Sequence, residues 1–478
     1  MTAHPHSPEP VDSEPAMPIA PTLGLWDAVS IIVGIVVGTA IFKTPQMVFS
    51  NVSGPWAAMG VWLLGGLLSL NGALCYAELA TTYPRSGGDY HYLTKAFGRW
   101  MGFLFGWAQL AVILTGSIAS MAYAFADYGV QLWGAKPGDS SATLWLAAGS
   151  IVALSVINLL GVVVGKSVQN CLSAVKILGL VGIFVAAVLC SSRGSFESSG
   201  PIEGASLGLA LVFVLYAYGG WNDAAFVAAE VRGRQRNLPL ALFLGIGLIT
   251  IIYLLVILAY MVVLGFEGAR TCQTPAANVM QLVVGDWGRS IISGLVMVSA
   301  LGAINGLILT GSRIYASLGA DHVIFARLSR WDHQRGAPAA ALMAQGAISV
   351  LLVLAVGTAA GRHVIDVVLQ AIGLQALPWE KYFGGFETLV SGTAPVFWTF
   401  FLLTGIALFV LRVRDGQRHR PFTTPLFPLP PIVFCGMCVY MLYSSLDYAE
   451  GLAIIGLLPL AVGVPLYAIS QWRGRQRK

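Results

Sequence analysis

Val33-Gly34-Ile35-Val36-Val37-Gly38-Thr39-Ala40-Ile41-Phe42 sits in the middle of the first apolar segment of the chain, and Tyr216-Ala217-Tyr218-Gly219-Gly220-Trp221-Asn222 in the middle of the sixth. A bilayer core offers backbone N–H and C=O groups no water. A helix therefore unwinds at that depth only where it lines a cavity enclosed by protein. Gly-interrupted segments at corresponding places in two halves of a chain point to the binding site of a secondary transporter. Taken alone, Gly34 and Gly38 are also compatible with a GxxxG packing face.

Composition supports a membrane setting. The 478 residues are 56% hydrophobic and 10% charged, with a mean hydropathy of +0.76. Soluble domains carry roughly 25% charged residues, so the soluble-enzyme classes are set aside. Residues 1–21 hold six prolines and three acids and lack a basic region followed by an apolar core, so they read as a disordered tail rather than a signal peptide. Of the six cysteines, Cys435 and Cys438 form a CxxC in an apolar segment with no nearby ligand, and they read as small packing residues. No metal site, cofactor or structural disulfide is expected. Phosphate-loop, zinc-protease and nucleophile-elbow signatures are absent from the sequence, so neither ATP drive nor hydrolysis has support.

Apolar runs predict twelve spans: 23–49, 56–82, 102–131, 143–163, 169–190, 204–230, 238–266, 286–319, 338–358, 385–412, 430–447 and 452–471. Between them, nineteen Lys and Arg fall on one side and seven on the other. The positive-inside rule puts the first side, and with it both termini, in the cytoplasm of a multi-pass cell-membrane protein. The +5 net charge then reflects topology and implies no nucleic-acid partner. Residues 361–384 do not fit a span; Val364 to Gln370 reads as an amphipathic helix on the outer face, either a lid or loop packing.

Several polar residues stand at membrane depth, where they are costly and usually functional. A break near Gly38 gives the following half-helix free N–H groups and a positive dipole end, an anion cradle beside Gly38, Thr39 and Ala40. A break at Gly219-Gly220 releases the carbonyls of Tyr216, Ala217 and Gly219, which suit an ammonium group. Together the breaks hold an α-amino acid by both ends of its zwitterion. Tyr216, Tyr218 and Trp221 either gate the side-chain pocket or pack in the core. Lys176 lies more than a turn from the nearest membrane surface, and a fixed ammonium there takes the place of a sodium ion. Asp223 is a counter-ion, a proton site or a residue in a wet vestibule. Glu78 reads as a structural hydrogen-bonding group.

The chain resembles the amino acid–polyamine–organocation superfamily, and within it the L-type amino-acid transporters of bacterial type. The resemblance is carried by Val33 to Phe42, Gly72-Ala73-Leu74-Cys75-Tyr76-Ala77-Glu78-Leu79, Ser86-Gly87-Gly88-Asp89-Tyr90, Ala217 to Asn222 and Arg236-Asn237-Leu238-Pro239, with Asn305-Gly306 and Ser312-Arg313 further on. It implies an all-α, LeuT-like fold: five-helix repeats over 22–190 and 204–412, inverted relative to each other, with helices 1 and 6 discontinuous, then two further helices over 430–471 and a basic tail over 472–478. It implies substrate contacts at Gly38, Thr39, Ala40, Ile41, Tyr216, Ala217, Gly219, Trp221 and Asn222. Lys176 matches the basic residue that replaces sodium, and Asp223, Asn305, Phe397 and Trp398 are further candidates. Ala40 stands where the family usually has glycine, and Tyr216 where Phe is common. Residues 134–143 lack the cysteine that links animal members to a heavy chain, so no such partner is expected.

The leading expectation is a sodium-independent transporter of neutral amino acids, working by exchange or with protons. A cationic amino-acid or polyamine transporter is the alternative within the fold. A non-transporting sensor or a channel is the alternative outside it. The sequence has no evident output domain or repeated filter, which weighs against both.

Overall fold

The computed structural model describes residues 21–133, 140–189, 194–197, 206–332, 334–377, 379 and 384–476. Most of the expected 1–21 tail, Lys136, Arg193, Lys381 and Cys190 lie outside them.

The described residues are helical. The chain opens with α1 (Leu25–Val36) and α2 (Ala40–Phe49), bent by 54° at a three-residue break. There follow α3 (Pro55–Thr82), the short α4 (Asp89–Phe97), α5 (Arg99–Ala108), a π-helical turn (Gln109–Ile113) and α6 (Leu114–Leu132). Next come α7 (Ser140–Leu159), α8 (Val162–Leu189) and α9 (Leu207–Ala217), the last continued by a 3-10 helix, Trp221–Glu230. The second half comprises α10 (Arg234–Thr271), α11 (Pro275–Val284), α12 (Trp287–Asp321), α13 (Ala339–Gly357), α14 (Ala359–Ala371), α15 (Gly385–Arg414), α16 (Leu429–Ala449) and α17 (Ala453–Gln476). Ten helical stretches are long and apolar enough to cross a membrane, or eleven with the bent pair; the longest, Leu429–Gln476, is the α16–α17 pair joined by a 3-10 turn.

Two details differ from the sequence reading, and a third sharpens it. The division between the fourth and fifth spans falls at Gly161, whose φ of +128° ends α7, so Lys166 lies inside α8. The short helices α4 and α11 escape a search for spans because each has only nine or ten residues. The helix expected within 361–384 forms as α14, where Asp366 accepts from Leu377 N and from Trp379 Nε1. Leu369 and Leu377 pack on Leu452 at the α16–α17 turn, which favours loop packing over a free lid.

On the side rich in Lys and Arg, buried and half-buried ion pairs tie distant elements together. Arg313 of α12 grips Glu230 through two bonds of 2.7 and 2.9 Å, and both side chains are 2% exposed or less. Glu78 takes Arg412 and the Thr424 amide. Lys166 meets Asp27 at 3.0 Å. Removing one partner of a buried pair costs about 3–5 kcal/mol, because the other charge is left uncompensated.

Candidate functional site

The first break spans Val37 to Thr39, and its carbonyls are met by side chains from three other helices. Lys176 Nζ of α8, fully buried, donates to Gly34 O at 2.6 Å and Val37 O at 2.9 Å. Ser299 Oγ of α12 lies 2.8 Å from Val37 O and 3.1 Å from Gly38 O. Tyr253 OH of α10 lies 3.1 Å from Val36 O. Unwound carbonyls in a dry interior need donors, and these three residues supply them. Lys176 thus acts as a fixed cation on backbone oxygens, and no carboxylate pairs with it among the described residues. A Cβ on Gly302 would stand 2.7 Å from Lys176 Cε and Nζ, so that glycine makes room for the ammonium.

The second break runs over Tyr218 to Gly220. Gly220 has a φ of +102°, and a Cβ there would stand 2.7 Å from Ile35 Cγ2, so the second break packs on the last turn of α1 at a point that only glycine fits. Beyond it the chain resumes as a 3-10 helix, tighter than α and usually short. The carbonyls expected to be free are partly engaged: Tyr216 O accepts from Gly219 N at 3.1 Å, and Ala217 O from Tyr253 OH at 3.0 Å. One phenol therefore serves both breaks.

Both breaks open onto one cavity of about 160 Å³. That lies below the roughly 300–1,000 Å³ of drug-sized sites. Of the expected contacts, Gly38, Thr39, Ala40, Tyr216, Gly219, Asp223, Phe397 and Trp398 line it. Asp223 is the one charged residue among the described lining residues. Thr39 Oγ1 is buried without a partner at the positive end of α2. Phe397 and Trp398 meet edge to face, ring centres 5.1 Å apart, as an aromatic wall.

The remaining expected residues do not line the cavity. Ile41 and Ala217 are buried off the cavity. Trp221 packs on Tyr76, Phe401 and Phe434, and Tyr218 on Trp62 and Tyr253. Asn222 faces Asp223. Asn305 joins a network with Asn158, Gln169 and Gly165 O that ties α12 to α7 and α8.

The sequence reading missed Gln109, which lines the cavity with Oε1 buried and unpartnered. It opens the π-helical turn, a distortion frequent at functional sites. A lone amide in Phe105-Gly106-Trp107-Ala108-Gln109-Leu110 was the available signal. Tyr253 and Ser299 were also missed, and in apolar helices they carry no signal beyond their polarity.

Residues 23–464 match the family model described as amino acid permease. The chain is similar to the b(0,+)-type amino acid transporter 1 of Mus musculus, 30% identical over 422 residues covering 86% of this chain and 80% of that protein. The Homo sapiens protein of the same name is 29% identical over 89% of this chain and 82% of its own length. The large neutral amino acids transporter small subunit 2 of Mus musculus is 29% identical over 94% of this chain and 80% of its own length.

Proposed function

The chain belongs to the amino acid permease family, and on that premise we propose that it is a sodium-independent secondary transporter of neutral amino acids, working by alternating access at the cavity between the two breaks. One observation carries this reading: the N-terminal end of α2 and the interrupted backbone after α9 open onto the same small cavity. The unpaired N–H groups and dipole of α2 suit a carboxylate. At the second break Tyr216 and Gly219 line the cavity, and the Tyr216 carbonyl, with one lone pair engaged by Gly219 N, retains capacity for an ammonium group. The apolar wall of Phe397 and Trp398 takes the side chain.

Sodium independence rests on Lys176, whose ammonium holds the carbonyls of Gly34 and Val37. Twelve spans, five-helix repeats over 22–190 and 204–412, an outer position for α14 and cytoplasmic termini complete the reading. The Lys and Arg asymmetry supports the orientation. No disulfide-linked partner is proposed, since residues 134–143 contain no cysteine.

Asp223 in the cavity favours a second reading, transport of a cationic amino acid or polyamine. A thermal-shift screen of the purified protein against the standard amino acids and common polyamines separates the two. Stabilisation by neutral amino acids, and exchange of the best of them in sodium-free vesicles, supports the first reading. Stabilisation only by lysine, arginine or polyamines supports the second.

A further inference from the structure

The buried acids divide into two groups. Glu78 and Glu230 each hold an arginine. Asp89 and Asp223, 2% and 5% exposed, hold none among the described residues. Asp223 lines the cavity and has the Asn222 amide as its hydrogen-bond donor, at 3.2 Å. Asp89 opens α4 on the basic side and takes the Tyr76 hydroxyl at 2.8 Å.

These two acids are brought together by backbone contact. Gly87 N donates to Phe226 O at 3.0 Å, and a Cβ on Gly88, whose φ is +45°, would stand 2.9 Å from the backbone of Ala225. The loop carrying Asp89 is thus seated on the 3-10 helix two and three residues beyond Asp223. Hydroxyls of Tyr76 of α3, Tyr92 of α4 and Tyr315 of α12 lie in the surroundings of the two acids, and no Lys, Arg or His forms an ion pair with either acid among the described residues.

Asp89 Oδ1 and Asn222 Oδ1 are buried acceptors without donors, and the buried Tyr92 hydroxyl is likewise without a partner. Two like charges in a site of low dielectric are not ionised together without a large cost. Burial pushes the Asp89 carboxyl up to about 7. A proton on either acid lowers the charge and supplies a missing donor.

We propose that Asp223 and Asp89 form a proton-carrying pair that couples proton movement to substrate movement. The proton arrives through the cavity onto Asp223, is shared with Asp89, and leaves toward the basic side when the cavity opens there. The inference rests on the transport reading and adds its driving force. A counter-ion role for Asp223 alone leaves Asp89 unexplained, since a cationic substrate in the cavity neutralises only the acid that lines it.

The test uses full-length protein in proteoliposomes with the membrane potential clamped at zero. For one proton per substrate, an inward gradient of one pH unit drives about tenfold accumulation of a labelled neutral amino acid, tenfold being about 1.4 kcal/mol. Wild-type protein is expected to accumulate, and Asp89→Asn to lose accumulation while retaining exchange. A wild-type protein that exchanges without accumulating overturns the proposal and leaves the transport reading intact. So does an Asp89→Asn protein that accumulates as wild type, or a wild-type protein that moves only cationic substrates. Failure to exchange any amino acid overturns the transport reading itself. Should Asp89→Asn fail to fold, proton uptake by wild-type protein on binding substrate, read with a pH dye in weak buffer, decides: about one proton per substrate supports the pair, and none overturns it.

Discussion

Replacing Tyr253 with Phe tests whether one hydroxyl holds both helix breaks. The ring is fully buried against Trp62 and Tyr218, so the substitution keeps the packing and removes only the donor. Val36 O keeps a second partner, the Gly38 amide at 2.7 Å, and is not orphaned. Ala217 O loses the Tyr253 bond of 3.0 Å, at the end of a helix in a dry interior. Leaving such a group unsatisfied costs about 1–3 kcal/mol. If that cost falls on the substrate-binding conformation, affinity drops by about 5–150-fold. The assay is substrate-dependent exchange in proteoliposomes, with a melting curve on the same preparation. The expected result is a folded protein with weakened substrate binding and a lower melting temperature. Wild-type affinity together with wild-type melting refutes the idea that this hydroxyl couples the two breaks.

Other outcomes follow from the same geometry. Gly220→Ala forces a Cβ against Ile35 at a left-handed position; about 1–2 kcal/mol of backbone strain and about 1–3 kcal/mol of overpacking should appear as a clear loss of thermal stability. Lys176→Met leaves Gly34 O without its 2.6 Å donor while Val37 O keeps Ser299, so exchange should fall by at least about tenfold; wild-type exchange should be the same in sodium and choline chloride, and a steep rise with sodium removes the role given to Lys176. His322, buried beside Phe103, is pushed down to about 4 from 6.5 by burial and then by Arg99. The folded protein therefore binds fewer protons than the unfolded chain between those values, so this contribution is whole above pH 6.5 and is lost as pH falls toward 4, by up to about 3 kcal/mol. Melting against pH should show that decline, and His322→Phe should flatten it.

The two breaks were legible because glycine-interrupted segments stand at matching places in the first and sixth apolar segments, although each glycine pair alone also fits helix packing. Lys176 was legible because a buried ammonium needs a reason. The facing of individual residues was harder to read. A helix between lipid and a protein core is apolar all round, so its periodicity does not tell which face meets the cavity. Trp221 and Asn222 adjoin the break, yet Trp221 turns to Tyr76 and Phe434, while Gln109, over a hundred residues earlier, reaches the cavity from the π-helical turn. Tyr253 in Ile251-Ile252-Tyr253-Leu254-Leu255 reads as one more packed aromatic until the carbonyls of two distant helices are placed around it. The short helix α4 hid the neighbourhood of Asp89 and Asp223 for the same reason: the contact depends on Gly87 and Gly88 meeting the 3-10 helix, a tertiary event without a local pattern.

The central claim is that the two breaks form one amino-acid site, and Gly219 tests it most directly. A Cβ there meets only carbonyl oxygens of its own turn, Tyr216 O at 3.2 Å being nearest, and the residue lines the cavity. A larger side chain therefore fills the site without crushing the core. Labelled amino-acid exchange should be measured in proteoliposomes for wild type and Gly219→Leu, with monodispersity and melting confirming that both are folded. Exchange by wild type and none by a folded Gly219→Leu is the predicted result. Exchange by the variant at the wild-type rate would contradict it.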